Sequence, residues 1–408
     1  MSDDPELETP DSPDDEDREL TLDEQREEDD SRKRLLLLIL LLLALCCGLL
    51  IVATRFLVKP APLPEIIPIA NVSYPPHYLF SIYNLAEPVG VALSPDGSKI
   101  YVVEVGGQRK IKILTRKGDL ISSFEPPHLS ASEKGLSYIA VNPVDGRVFV
   151  TDRTQGVIYV FDADGKYLDS ILSPDQTLKG FIAKQINGDV PDGTRFFYSF
   201  MARKALYVLP GQLEKLVDLN TGDKWAPIGV RFDQSGNLLV TDALADTHRV
   251  QIFSSSLIGS PDYWKKWLPS QVFGARGNEN GQFLYPNVAV VDSRGRIYVS
   301  DGNNSRVSVW GSDGQYLNQF GVGTGDFSLN LPRGMWMDEK DRLYVVDAVG
   351  QFVKVFDVSG SEPHFMYSFG DFGIDDGLFN YPTDIVMDKT GWLFIADREN
   401  NRIQIWSY

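Results

Sequence analysis

The chain has 408 residues, of which 43% are hydrophobic, and its formal net charge at pH 7 is −17. This length leaves room for one large or two ordinary domains, and the apolar fraction is enough to fill a sizeable core. The balance is acidic and the sequence contains no polybasic track, so no nucleic-acid partner is expected.

The first 34 residues form an acidic leader. Residues 2–31 carry sixteen Asp and Glu side chains against two arginines, which accounts for most of the negative charge. Such a segment has too few apolar side chains to offset the entropy that folding would cost. We therefore expect residues 1–34 to be a disordered tail.

A long apolar segment follows the leader. Residues 35–53, which begin at Leu35 and end at Ala53, contain no charged residue and no proline. As a helix this segment would be roughly 28 Å long, close to the thickness of the hydrocarbon core of a bilayer. It is also longer than the apolar part of a cleavable signal peptide, so we expect a transmembrane helix that persists as a signal-anchor.

The charges beside this segment predict its orientation. Arg32, Lys33 and Arg34 precede it, whereas Arg55 and Lys59 follow it. Because basic residues accumulate on the cytoplasmic side, we expect a single-pass protein of the cell membrane with a cytoplasmic N-terminus and the remainder extracytoplasmic. Residues 54–76 are rich in proline and are predicted to form a stiff spacer.

Residues 77–408 consist of repeated units. Two of the clearest are "PNVAVVDSRGRIYVSDGNNSRVSVW" from Pro286 and "PTDIVMDKTGWLFIADRENNRIQIW" from Pro382. Each unit has three apolar runs of strand length separated by polar turns, and a shorter fourth run such as "YLNQFG" follows. Four antiparallel strands repeated around an axis predict an all-β protein with the β-propeller fold.

The two ends of the repeat region are predicted to meet. The last unit supplies only three strands before Tyr408. The segment "HYLFSIYNL", residues 77–85, lies just ahead of the first unit and is typical of a fourth strand. We therefore expect the N-terminal strand to pair with the last blade and close the ring.

The number of blades depends on one irregular interval. First-strand positions recur regularly except between Ile139 and Val230. Residues 181–219 fit this interval as a degenerate unit with Ile182 in its first strand, which favours seven blades. Six blades with a large insertion at residues 173–224 are the alternative.

The units resemble NHL repeats. Residues 273–310 and 369–406 share the Phe-Gly pair, the later Gly-x-Phe or Gly-Leu-Phe, the proline before the first strand and the Asn- and Arg-containing turn of that family. The resemblance implies a propeller, typically with six blades. It leaves activity open, because one fold hosts many functions.

One face of the predicted ring carries the candidate binding residues. The links between blades and the turns between second and third strands share this face, and their polar side chains suit a protein, peptide or glycan surface. These residues are Arg153, Asn287, Asn303, Asn304, Arg333, Asp384, Arg398 and Asn400. The alternative is that the Asp, Asn and Arg side chains stabilise the turns of their own repeats. Arg153 and Arg333 do not belong to the recurring turn pattern, so this alternative does not explain them.

A further candidate lies in residues 254–274. Ser260 and Pro261 are typical of the start of a short helix that would carry Trp264 and Trp267. This element either covers a blade edge or offers an aromatic anchor to a partner.

The sequence favours a membrane-anchored binding platform without a cofactor over an enzyme. The alternative is a propeller enzyme of the lactonase or lyase type with a divalent metal in the central channel. Gluconolactonase-like propellers hold such a cation with inward Glu, Asn and Asp side chains, and Glu87, Asn287 and Asp384 lie beside three predicted inner strands.

Overall fold

The computed structural model describes residues 22–58, 74–199, 203–219 and 224–408. The chain forms two compact units, Met1–Asn71 and Val72–Tyr408. The predicted tail over residues 1–21 and the predicted spacer over residues 59–73 lie outside the described residues.

The described part of the first unit is one helix, α1, Leu22–Val58. Its Asp29–Ile51 stretch is long and apolar enough to cross a membrane. The helix begins well before Leu35, so residues 22–34 are helical rather than disordered as predicted. Glu, Arg and Lys are good helix formers, and Lys33 lies 3.8 Å from both Asp29 and Asp30, at the spacing of neighbours on a helix.

The second unit is a β-propeller, as predicted, and its described strands form six blades of antiparallel strands. The N-terminal strand is β1 (His77–Ile82). Blade 1 contains β2 (Pro88–Leu93), β3 (Lys99–Glu104), β4 (Ile111–Thr115) and β5 (Leu120–Phe124). Blade 2 contains β6 (Leu136–Val141), β7 (Val148–Asp152), β8 (Val157–Phe161) and β9 (Tyr167–Ser173), with the short β10 (Gln176–Thr177) on its outer edge.

An insertion follows blade 2. It contains α2 (Leu178–Ile186), β11 (Arg195–Ser199), β12 (Lys204–Val208) and β13 (Lys215–Asp218). Blade 3 contains β14 (Pro227–Phe232), β15 (Leu238–Leu244), β16 (Thr247–Phe253) and β17 (Gln271–Phe273), with α3 (Ser255–Ile258) between the last two strands. The parallel pair β18 (Ala275–Arg276) and β19 (Gln282–Phe283) leads to the next blade.

Blades 4 to 6 are the most regular. Blade 4 contains β20 (Pro286–Val291), β21 (Ile297–Asp301), β22 (Arg306–Trp310) and β23 (Tyr316–Phe320). Blade 5 contains β24 (Pro332–Met337), β25 (Arg342–Asp347), β26 (Phe352–Asp357) and β27 (His364–Phe369). Blade 6 contains β28 (Pro382–Met387), β29 (Leu393–Asp397) and β30 (Arg402–Ser407), and takes β1 as its fourth strand.

The last blade is built from both ends of the unit. Strand β1 pairs antiparallel with β30, and Tyr78 lies opposite Trp406. The inner strands β2 and β28 also contact each other. The main-chain N–H of Val91 donates to Asp384 at 3.0 Å, which adds a buried hydrogen bond between the first and last blades.

The ring has six blades, the alternative count, rather than the favoured seven. The inner strands β6 and β14 contact each other directly, so the insertion supplies no inner strand between them. Ile182, predicted to lie in a first strand, lies in α2, where Thr177 caps the helix by accepting the N–H of Gly180 at 3.0 Å. The short apolar run "FIAKQI" suits a helix as well as a strand, and this cap decides between them.

The insertion and the Trp-containing segment cover the outside of the ring between blades 2 and 3. Tyr263–Lys266 forms a short 3-10 helix. Trp267 is 2% exposed and stacks on Phe253 with ring centroids 4.4 Å apart, and Trp264 is 6% exposed. These two tryptophans therefore pack in the core and are not presented to a partner.

Candidate functional site

Two kinds of connection lie on the same face of the propeller, which we call the cavity face. One is the link that leads from each blade into the inner strand of the next, and the other is the turn between the second and third strands of each blade. An aspartate at the end of the second strand connects the link of a blade to its turn. Asp301 accepts the N–H of Leu284 at 2.6 Å, and Asp397 accepts the N–H of Asn380 at 2.7 Å. The predicted aspartates therefore hold the link of their own blade against its turn.

A cavity of about 390 Å³ opens on this face where the inner strands begin. Its walls combine apolar side chains, three tyrosines, polar side chains and three arginines. The lining residues are Val89, Leu136, Ser137, Tyr138, Arg153, Ile228, Tyr285, Asn287, Asn303, Arg333, Tyr381, Thr383 and Arg398.

Arg333 is half-buried in the cavity wall and is held by neutral partners. Its Nη1 donates to Asn287 Oδ1 at 2.9 Å and its Nη2 donates to the Tyr381 hydroxyl at 3.1 Å. Its Nε is buried and has no hydrogen-bond partner in the described structure. The half-buried charge of Arg333 therefore has neutral hydrogen-bond partners and no carboxylate partner.

The other two arginines differ in their partners. Arg398 donates to Glu87 Oε2 at 2.7 Å and its guanidinium lies 5.8 Å from the ring centroid of Tyr381. The Arg153 guanidinium lies 5.1 Å from the ring centroid of Tyr285, in the range of a cation–π interaction. Arg153 is exposed and forms no ion pair with any described residue.

The link residues that border the site adopt left-handed backbone conformations. Glu87, Tyr285 and Tyr381 each precede a proline and have φ of 48°, 59° and 55°. A residue other than glycine adopts this backbone conformation only when its surroundings hold it there. The conformation turns the chain sharply into the inner strand.

In each case a side chain in or just after the turn between the second and third strands of the preceding blade contacts the main-chain N–H of the strained residue. Asn401 accepts the N–H of Glu87 at 2.9 Å, and Gln351 accepts the N–H of Tyr381 at 2.7 Å. The Nδ1 atom of His248 lies 3.3 Å from the N–H nitrogen of Tyr285. Neighbouring blades thus fix the tyrosines that contact the arginines.

Five of the residues predicted for the binding surface come together in the cavity: Arg153, Asn287, Asn303, Arg333 and Arg398. Asn304 and Asn400 do not line it. Asn304 Nδ2 donates to Asp301 and to the carbonyl of Gly277, and Asn400 makes the corresponding bonds to Asp397 and Gly373. These two asparagines therefore stabilise their own turns, which was the predicted alternative.

Asp384 lies below the cavity rather than on its surface. It is fully buried and forms an ion pair with Arg231. Burial raises the pKa of Asp384, whereas Arg231 and the main-chain N–H groups of Val91 and Ile385 favour its charged form. Its role is to join blades 3, 6 and 1.

The oxygen atoms considered for a divalent metal are bound by arginines. Glu87 accepts from Arg398, Asn287 accepts from Arg333, and Asp384 pairs with Arg231. Within the described residues there is no group of three His, Cys, Asp or Glu side chains that could hold a metal ion. A guanidinium beside each oxygen opposes a cation electrostatically, so this arrangement fits an anion better.

The tyrosines of the cavity were not predicted from the sequence. Tyr285 and Tyr381 occur in matching Tyr-Pro pairs at the start of two regular repeats, which is a signal that could have found them. Tyr138, in contrast, is buried beside Asp384 and its hydroxyl donates to the carbonyl of Thr383 at 3.2 Å. Burial raises the pKa of Tyr138, so its hydroxyl stays protonated at neutral pH.

Comparison with known proteins identifies the repeats. The NHL repeat family model matches residues 225–253, 283–310 and 379–406. A similar protein is "Protein brain tumor" from Drosophila melanogaster, which is 31% identical over 140 residues. That alignment covers 34% of this chain and 12% of the relative, so it spans only a small part of the relative's length.

Solved structures with similar folds share little sequence. A streptogramin B lyase is 12% identical with a TM-score of 0.48 and covers 81% of this chain and 98% of its own. A catalytically inactive virginiamycin B lyase from Staphylococcus aureus with quinupristin is also 12% identical, with a TM-score of 0.48 and coverage of 82% and 98%. A protein of unknown function from Bacteroides thetaiotaomicron is 15% identical, with a TM-score of 0.49 and coverage of 82% and 72%.

Proposed function

The chain carries NHL repeats, and from that premise we propose that it is a binding protein whose propeller receives a protein or peptide partner on the cavity face. The observation that carries this proposal is the convergence of Arg153, Arg333 and Arg398 with Tyr285 and Tyr381 around one cavity. Arginine and tyrosine contribute strongly to binding energy at protein interfaces. A neutral glycan would not need three guanidinium groups.

The rim of the cavity face supports a protein partner. Large apolar side chains are exposed there on the links and turns, including Val349 at 53%, Phe372 at 65% and Ile374 at 75%. Exposed apolar side chains around a polar centre are typical of a surface that becomes covered on binding.

The proposal also includes the membrane. The apolar residues 35–53 of α1 would anchor the protein as a single-pass segment, with the acidic N-terminus in the cytoplasm and the propeller extracytoplasmic. The basic residues Arg32, Lys33 and Arg34 support this orientation. Such an anchor would present the propeller to extracytoplasmic partners.

Site-specific photo-crosslinking of the full-length protein in intact cells tests the binding surface. A photoreactive amino acid at Asn303, which is exposed at the cavity, should capture a discrete protein partner. The same amino acid at Ser312 is the matched control, because the turn between β22 and β23 lies on the opposite face. Equal capture from both positions, or capture from Ser312 alone, would contradict the proposed face.

Orientation is tested separately with a cysteine at Ser312 in a chain whose Cys46 and Cys47 are replaced by serine. A membrane-impermeant thiol reagent should label this cysteine in intact cells. Labelling that appears only after lysis would place the propeller in the cytoplasm.

A further inference from the structure

We infer that the central cavity is a carboxylate-binding site, and that it takes an acidic side chain or the C-terminal carboxylate of a peptide segment of the partner. This inference rests on the proposed function and goes beyond it, because it assigns the chemistry of the group that enters the cavity. The feature that carries it is an excess of positive charge that the fold does not balance.

The arginines of the cavity differ from most arginines of the blades. Six blade arginines each pair with an aspartate, five within their own blade and Arg231 with Asp384 of blade 6: Arg231, Arg249, Arg296, Arg306, Arg342 and Arg402. In contrast, the described ion pairs include none for Arg153 or Arg333. Arg109 shows that carbonyl oxygens can also hold a structural arginine, because its Nε donates to Val105 and its Nη1 to Lys134. Arg153 and Arg333 differ from Arg109 in that both line the cavity, so these two are candidates for an external carboxylate.

The charge count of the cavity gives the same result. The charged residues among its lining residues are Arg153, Arg333 and Arg398, all positive. Glu87 neutralises only Arg398. Two guanidinium groups in the cavity therefore remain without a carboxylate partner. This local positive field would attract a compact anion.

The donors suit the planar carboxylate group. Arg333 has its two Nη atoms occupied by Asn287 and Tyr381, which fixes the guanidinium plane and leaves the buried Nε without a partner. Arg153 lies over Tyr285 and keeps all its N–H groups available for a bidentate contact. The parallel N–H donors on one edge of the Arg153 guanidinium match the two oxygens of a carboxylate, and Arg333 adds a second positive charge beside them.

Size and apolar lining favour a peptide as the source of the carboxylate. At about 390 Å³ the cavity is near the small end of ligand sites, so it admits one or two residues rather than a folded domain. Val89, Leu136 and Ile228 line it together with the tyrosine rings and can contact the methylene groups of a glutamate side chain.

Calorimetric titration of the full-length protein in detergent micelles tests the inference. The probe is N-acetyl-Glu-Glu, and its uncharged counterpart is N-acetyl-Gln-Gln amide. We expect the charged probe to bind and the uncharged one not to. Glutarate and inorganic phosphate are titrated in parallel. Equal or tighter binding of glutarate would overturn the peptide source, and equal or tighter binding of phosphate would overturn the preference for carboxylate.

Variants localise the binding. Arg153→Gln and Arg333→Gln should each weaken binding of the charged probe by about tenfold or more, because each removes a charged donor. Glu87→Gln should strengthen it, because Arg398 is then released. Arg195→Gln is the matched control, since Arg195 is exposed on β11 outside the cavity, and it should bind as the parent does.

Arg153→Gln keeps the test decisive even if Arg333→Gln fails to fold, since Arg153 contributes only one ring contact to the fold. Unchanged binding in Arg153→Gln, or equal losses in Arg195→Gln, would overturn the cavity as the site. If crosslinking at Asn303 captures a partner while the charged probe does not bind, the carboxylate inference fails and the proposed binding face stands.

Discussion

Asn401 in blade 6 accepts the main-chain N–H of Glu87 through its side-chain oxygen, at 2.9 Å. Both residues have left-handed backbone conformations, with φ of 54° and 48°. The contact joins the last turn of the chain to the link that enters the first inner strand. It therefore holds the ring together and also positions Glu87 against Arg398.

Removal of this acceptor should destabilise the propeller. Asn401→Gly keeps the left-handed conformation but removes the side-chain acceptor of the Glu87 N–H, so we expect the free energy of unfolding to fall by about 0.5–1.5 kcal/mol. Asn401→Ala should cost more, because alanine is strained at positive φ. The measurement is denaturant unfolding of the full-length protein in micelles.

The matched control for this test is Asn84→Gly. Asn84 is exposed and also left-handed, with φ of 63°, but its side chain makes no described hydrogen bond. We expect little change in stability. If both glycine variants lost the same stability, the Asn401 bond would not be the cause.

A disulfide across the blade that joins the two ends tests the ring directly. His77 and Ser407 are paired residues of β1 and β30. Cysteines at both positions, in a chain with Cys46 and Cys47 replaced by serine, should form a disulfide under mild oxidation. The bond closes a very long loop and should raise the free energy of unfolding by about 2–4 kcal/mol. A control pair at His77 and Ser312 should stay reduced; the reverse pattern would refute the strand pairing.

The sequence was sufficient to predict much of this fold. Turn glycines such as Gly295, with φ of 79°, recur in five of the six blades, and Asp341 takes the same left-handed position in blade 5. The apolar runs between the turns recur in every blade, so the blades and the partner of β30 follow from the pattern. The insertion after blade 2 has no such repetition. There the cap at Thr177 makes "FIAKQI" helical, and only three-dimensional contacts show that β6 and β14 are neighbours.

The candidate site was less predictable, and the reason is local hydrogen bonding. Topology alone places Asn303 and Asn304 on the cavity face, yet Asn303 lines the cavity while Asn304 turns back to bond Asp301. Periodicity cannot distinguish two adjacent asparagines in one turn. The burial of Trp264 also depends on packing against the insertion, which has no counterpart in the other blades.

The pH dependence of stability should contain a contribution from Asp169. Burial raises the pKa of this carboxyl to about 7, above its ordinary value of 3.8, despite N–H bonds from Ser170 and Lys179. The folded state therefore holds the proton more tightly than the unfolded state. This contribution to stability is complete below about pH 4 and is lost as the pH rises through about 7.

Asp169→Asn should remove that dependence. The amide keeps an oxygen for the two N–H donors and can donate to the hydroxyl of Tyr263, which contacts the other carboxylate oxygen. We expect the variant to gain stability relative to the parent as the pH rises from 4 to 8, by up to about 4 kcal/mol. The measurement is the denaturant midpoint across this range. A difference between the two proteins that does not change with pH would contradict the raised pKa.

Loss of one partner of the buried pair Arg231 and Asp384 should lower the stability of the fold strongly, whereas replacement of both partners by apolar residues should lower it much less. Asp384→Ala leaves the Arg231 guanidinium, which is 4% exposed, without a counter-charge, so we expect a loss of about 3–5 kcal/mol in the free energy of unfolding. In Arg231→Met/Asp384→Leu both charges are gone and apolar side chains fill the space, so most of that loss should be recovered.

The exposed pair of Lys99 and Asp164 provides the matched control for the buried pair. Lys99 Nζ lies 2.8 Å from Asp164, whose side chain is 85% exposed, so Asp164→Ala should change stability little because water screens the charges. All four proteins are compared by denaturant unfolding in the same micelles. If the double variant were no more stable than Asp384→Ala, the N–H bonds that Asp384 accepts from Val91 and Ile385, which both variants lose, would contribute more to stability than its ion pair.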